Sequence, residues 1–200
     1  DTFYLIDEIY CTSDVCKAAS CDALRSKTTL LNALSHRSAR LLVDTAKMLS
    51  KPRIRFMDCL LEFKRLSNAH STYLLLRDMQ NVVRSLEEGS KERMVLNDLQ
   101  KLLGLWFIEK DLGDFAEDSY LNAQQIKWVR ENIRIMLKRV RENAVSLCDA
   151  RDYSDFRLKS ALGRKDGNVY EALFATTLES TLNRESTNEE GFNTVGVSKL

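Results

Sequence analysis

Arg164, Asp166 and Asn168 are the residues whose types and spacing most suggest chemistry. Arg164 offers a forked donor suited to a phosphate or a carboxylate, and Asp166 can hold that fork in place. They stand in a stretch, 161–174, that contains Gly163 and Gly167, two of the seven glycines in a chain otherwise short of turn residues. Gly163 follows an apolar-periodic segment where a helix would need a left-handed terminal residue, and Asp166-Gly167 then supplies a turn with positive φ at little steric cost. Asn168 restarts the chain. Its side chain can accept from the amide of residue 171, and Glu171 can reach back to the amide of Asn168 as a capping box. Helix, tight loop, helix is expected. Such a loop either connects two helices and does no more, or carries a ligand contact.

Other candidate residues are sparser. Lys127, Arg130, Arg134, Lys138 and Arg141 recur at steps of three and four, a basic stripe that could meet phosphates or could be a solvated helix face interrupted by Glu131 and Glu142. No series of aromatic residues interleaves with it to stack successive bases, Trp128 being the one aromatic between its ends, so nucleic acid is not an expected partner. His70 has no second acid or nucleophile at helical spacing and reads as a histidine packed at a helix contact. Cys11, Cys16 and Cys21 recur every five residues, a spacing that scatters thiols around a helix and does not match zinc sites. Cys59 and Cys148 lie in apolar surroundings and read as small core residues, and free thiols are expected throughout. No glycine-rich phosphate loop, triad spacing or zinc pattern occurs, so no catalytic residue and no metal ligand is assigned.

The elements that must position these residues are helices. Apolar positions Leu30, Leu31, Leu34, Leu41, Leu42, Ala46 and Leu49 predict a helix from about Lys27 to Ser50, stopped by Pro52. Residues 54–88 run without glycine or proline and predict a long or kinked helix. Ser90 caps a further one to about Lys110, with Trp106 and Phe107 expected in the core. Leu112-Gly113-Asp114 then turns the chain, and Asp114, Glu117 and Asp118 read as an acidic surface loop. Asn122 caps the clearest helix, expected over 122–150, with Ile126, Val129, Ile133, Leu137 and Val140 forming a seam close to that of a coiled coil.

Composition agrees. Two hundred residues, 44% hydrophobic and 30% charged with a single proline, suit one helical globule able to bury a core without disulfides. Thirty basic and 29 acidic residues leave a net charge of +1 and no global pull toward acidic partners. No apolar run is long enough to span a membrane and no basic leader precedes an apolar stretch, so a soluble, non-secreted chain is expected. It starts at Asp1 and not at methionine, which suggests a processed or excised piece of a longer protein. From Asn183 onward the composition is too polar to order itself.

Leu162-Gly163-Arg164, Asp166-Gly167-Asn168-Val169-Tyr170-Glu171 and Leu173-Phe174, with Leu182-Asn183 just after, resemble the segment near the C-terminus of peroxisomal acyl-CoA oxidases. Ser38-Ala39-Arg40-Leu41, Ala69-His70, Gly113-Asp114-Phe115 and Ala144-Val145 with Leu147 and Asp149-Ala150 resemble that family's C-terminal helical domain in the same order, over roughly 30–185. Ser198-Lys199-Leu200 matches the peroxisomal address read by the import receptor.

The resemblance implies an FAD-dependent oxidation of a fatty acyl-CoA to the trans-2-enoyl-CoA, with O₂ reoxidising the flavin to give hydrogen peroxide. It also implies that the catalytic glutamate and most of the FAD site lie in the N-terminal flavin-binding part of the same enzyme. This chain would be the helical bundle that covers the cofactor region and contributes to the homodimer, inactive alone, with Arg164, Asp166 and Asn168 as the candidate cofactor contacts. The expected fold is all-α, an antiparallel bundle of four to five long helices. The expected division is an arm or short helix over 1–25, the bundle over 26–183 and a flexible targeting tail over 184–200. The competing reading is a non-enzymatic helical scaffold or adaptor of the peroxisome.

Overall fold

The structure, a computed structural model, describes residues 15–164 and 166–180; the expectations for Cys11, for the tail and for Ser198-Lys199-Leu200 lie outside the described residues. Contacts divide the chain into two compact units, Asp1–Asn143 and Ala144–Leu200. The described residues are helical and contain no strand, so the all-α expectation holds.

In the first unit a short helix α1 (Cys21–Leu24) precedes four long ones, α2 (Lys27–Leu49), α3 (Leu60–Ser85), α4 (Lys91–Lys110) and α6 (Ala123–Arg141), with a short α5 (Leu112–Glu117) between the last two. Short connections make the four an antiparallel bundle, in which α2 packs on α3 and α4, and α4 packs on α6. Three of the four long helices start on a side-chain cap, and α3 starts without one. Ser26 accepts from the Thr29 amide and Ser90 from the Arg93 amide. Asn122 and Gln125 form a full capping box. The core is built from Leu30 and Leu34 of α2, Leu76 of α3, Leu105 and Ile108 of α4, and Val129 and Met136 of α6. At its centre Gly104 lets three helices approach: a Cβ there would stand 3.2 Å from side-chain carbons of both Leu30 and Leu76.

Several boundaries differ from the sequence reading. The segment after Pro52 opens with a 3-10 turn, Phe56–Cys59, before α3 begins. The last helix of the first unit stops at Arg141, and a separate short α7 (Ala144–Asp149) follows in the second unit, because Glu142-Asn143 breaks the ladder. The buried face of α6 is Gln125, Val129, Asn132 and Met136, while Leu137 is exposed, so the expected apolar seam is rotated. Two polar residues hold the buried positions because they have partners. The Gln125 side-chain amide donates to the Cys16 and Ala18 carbonyls at 2.8 and 3.0 Å, and that of Asn132 to the Cys21 carbonyl at 2.7 Å. With the Cys16 amide donating to the Tyr120 carbonyl at 2.9 Å, these bonds tie down the segment entering the bundle. Phe107 is buried as expected, but Trp106 lies at the surface beneath Lys110, and Cys148 is exposed where a core position was expected.

The second unit holds α7, α8 (Asp155–Leu158), a 3-10 turn over Ala161–Gly163, and α9 (Val169–Glu179). Neither α7 nor α9 buries a residue.

Candidate functional site

The loop between the 3-10 turn and α9 brings Arg164 and Asp166 together. Arg164 donates from Nε to Asp166 Oδ1 at 3.0 Å and from Nη2 to Oδ2, a two-bond fork. The same Oδ1 accepts from the Asn168 amide at 3.0 Å. Arg164's hydrogen bonds and charge, with the Asn168 amide, hold the Asp166 carboxyl down at about 2, so it is ionised across the physiological range. Gly167 has φ +72°, as the turn requires. Gly163 has no positive φ; its use is space, since a Cβ there would meet Leu158 Cδ1 at 2.7 Å. Asn168 does sit at the N-cap of α9, but without the expected capping box. Asp166 has already taken its amide, and its side chain instead donates to Glu171 Oε2 at 2.5 Å. All three candidate residues are exposed. They form a charge-paired knuckle at the surface of the second unit, next to a concavity of about 300 Å³ lined by Tyr153, Leu158 and Gly163.

The basic stripe is exposed along α6, with Arg130 at 3.8 Å from Glu109. His70 is half-buried on α3.

A different constellation, which the sequence reading split between helix faces and a surface loop, is the most developed charged site in the molecule. Arg37 of α2 is 2% exposed and reaches Asp114 at 2.6 Å and Asp111 at 2.9 Å, the second as a charge pair without hydrogen-bond geometry. Arg40, one turn on, contacts Glu117 and Asp118, each at 3.2 Å, and donates to the Asp114 carbonyl at 2.7 Å. Arg65 of α3 binds Asp114 and lies 3.5 Å from Glu117. His36 Nε2 is 2.7 Å from Asp118 Oδ2, and its ring stacks on Tyr120 with centroids 4.1 Å apart. Asp114 is thus a buried carboxylate in α5. Burial pushes its carboxyl up, but the hydrogen bonds and charges of Arg65 and Arg37 together pull it lower than its usual value. The missed signal was the helical spacing of the acids at 111, 114 and 118, matching cations at 37 and 40.

This cluster cross-links α2, α3 and α5. It holds no nucleophile, and among the described residues no group of histidine, cysteine or acidic side chains is placed to hold a metal. The class these features define is an all-α bundle domain, braced by a compensated ionic core, with an Arg-Asp knuckle on a separate helical unit. The acyl-CoA oxidase family model matches residues 26–195, and the chain belongs to that family. It is 34% identical to peroxisomal acyl-coenzyme A oxidase 1 of Bos taurus over 173 residues, covering 83% of this chain and 26% of the relative. It is similar in fold to Arabidopsis thaliana acyl-CoA oxidase 1, with TM-score 0.83 and 27% identity over 96% of this chain and 30% of that one. It is also similar to acyl-CoA oxidase-2 of Caenorhabditis elegans bound with FAD, ascaroside-CoA and ATP, with TM-score 0.71 and 25% identity over 93% of this chain and 28% of that one. The chain spans about a quarter of the length of the curated relatives it matches.

Proposed function

We propose that this chain is the C-terminal helical domain of a peroxisomal, FAD-dependent acyl-CoA oxidase. The whole enzyme converts acyl-CoA and O₂ to trans-2-enoyl-CoA and H₂O₂ in fatty-acid β-oxidation. The observation that carries the reading is the match of the family model to 26–195, joined to a TM-score of 0.83 with a solved oxidase. FAD, when bound, supplies the two-electron acceptor for oxidation of the acyl chain. The residues here fit an edge of such a cofactor site and not its body. Arg164, forked onto Asp166 at the surface, presents a fixed guanidinium of the kind that suits one phosphate or carboxylate group at a rim. All three candidate residues are exposed, which suits a rim, and the body of the flavin site belongs with the N-terminal part of the enzyme, as does the catalytic glutamate.

In this reading the bundle covers the cofactor region and contributes to the homodimer, and Arg164, Asp166 and Asn168 orient its contact with the cofactor or the partner subunit. Ser198-Lys199-Leu200 engages the import receptor. Arg164→Ala and Asp166→Ala in the full-length enzyme test the site: peroxide production with a fatty acyl-CoA, or dimerisation by sedimentation, is expected to fall several-fold with little change in Tm. Full activity and intact dimers in both variants would reduce the loop to a helix connection.

A further inference from the structure

We infer that Asp166-Gly167 is a site of spontaneous covalent modification, conversion of Asp166 to isoaspartate, and that Arg164 holds this reaction in check. It is the one Asp-Gly pair in the chain, and no Asn-Gly pair occurs. In such a pair the amide nitrogen of the glycine, with no side chain beside it, can attack the γ-carbon of the aspartic acid. A C–N bond forms, the C–O bond breaks, the oxygen leaves as water and a succinimide ring closes. Water then opens the ring at either carbonyl. One opening restores aspartate; the other routes the main chain through the β-carbon as isoaspartate. Water is lost and regained, and nothing is oxidised or reduced.

The surroundings permit the reaction. Asp166 and Gly167 are exposed, and nothing stands within 4 Å of where a Gly167 side chain would begin, so no neighbour crowds the ring. What opposes it is Arg164, which engages both reacting groups. Its carbonyl accepts from the Gly167 amide at 3.3 Å, which restrains the nucleophile. Its guanidinium forks onto the electrophile, Nε to Asp166 Oδ1 at 3.0 Å and Nη2 to Oδ2. The Asn168 amide donates to the same Oδ1 at 3.0 Å, so the carboxylate is drawn past Gly167 to the residue after it. Ring closure also needs an oxygen that can leave as water, which the neutral acid offers and the carboxylate does not. With the Asp166 carboxyl held at about 2, against a usual value of 3.8, the neutral form near neutral pH is scarcer by a factor of roughly 60. Isoaspartate would lengthen the main chain and displace the carboxylate, breaking the fork and the bond to the Asn168 amide. Arg164 is thus a protecting residue, and the chemistry is the same whether or not the loop meets a cofactor.

The test incubates the full chain at neutral pH and physiological temperature and follows residue 166 by peptide mapping that separates aspartyl from isoaspartyl forms. Native wild type is compared with Arg164→Gln, which keeps the backbone acceptor and removes the charged fork, and with wild type unfolded in urea. Isoaspartate is expected to accumulate about tenfold or more faster in Arg164→Gln than in native wild type, with an unchanged circular dichroism spectrum, and to approach the rate of the unfolded chain. Native wild type converting as fast as Arg164→Gln, or as fast as the unfolded chain, would overturn the inference.

Discussion

Arg37 shows how this fold turns charge into structure. Truncating it leaves Asp114 and Asp111 without their shared cation in a site where Asp114 is nearly buried, and breaking one side of a buried ion pair is strongly destabilising. Arg37→Ala should lower the unfolding free energy by about 3 kcal/mol or more, measured by denaturant titration. A loss under about 1 kcal/mol would place the network among surface pairs of little consequence. The pH dependence has a definite sign. Asp114 is depressed in the folded state from its usual value of 3.8, so the stability it contributes is present above that value and is lost as the pH falls through the lower folded one. Acid unfolding should therefore steepen below about pH 4, and Asp114→Asn should flatten the slope there. At the other loop, Gly167→Ala should cost about 1 kcal/mol because φ is +72° although space is open, whereas Asn168→Ala should cost less than an ordinary cap because no cap bond exists.

Helices were the most legible level, and their legibility tracked how local the cause was. Ser26, Ser90 and Asn122 act on amides three residues away; Ser90 and Asn122 marked their helix starts from sequence, and the start of α2 was read from its apolar period. The paired Arg164 and Asp166 were legible for the same reason. The buried face of α6 was not, since Gln125 and Asn132 are admitted to the interior by carbonyls more than a hundred residues distant, which no periodicity encodes. Nor was the burial of Asp114, whose partners Arg37 and Arg65 are 77 and 49 residues away. Asn132→Ala should cost about 1–3 kcal/mol by leaving the Cys21 carbonyl without its donor, and hydrogen exchange should show the α1 segment opening before α2. Uniform protection of both would contradict a segment held by those side-chain bonds. Gly104→Ala, which presses on Leu30 and Leu76 at once, should cost about 1–3 kcal/mol as overpacking does.

At the scale of the molecule, the second unit presents Tyr170, Phe174 and Leu178 on one exposed face of α9, the surface expected of a piece that packs against something larger. The chain alone should be helical by circular dichroism and should self-associate, and Phe174→Ser should reduce that association without lowering helicity. Deleting Ser198-Lys199-Leu200 from a fluorescent fusion should abolish peroxisomal import and leave folding untouched.

The central claim is that the bundle serves an oxidase whose flavin site lies mainly in another part of the enzyme. Flavin content and acyl-CoA-dependent peroxide production, measured side by side for the purified chain and for the full-length enzyme, test it most directly. The account predicts a colourless, inactive chain and a yellow, peroxide-producing whole enzyme. Stoichiometric flavin on the chain alone, or a full-length protein with neither flavin nor peroxide, would contradict it.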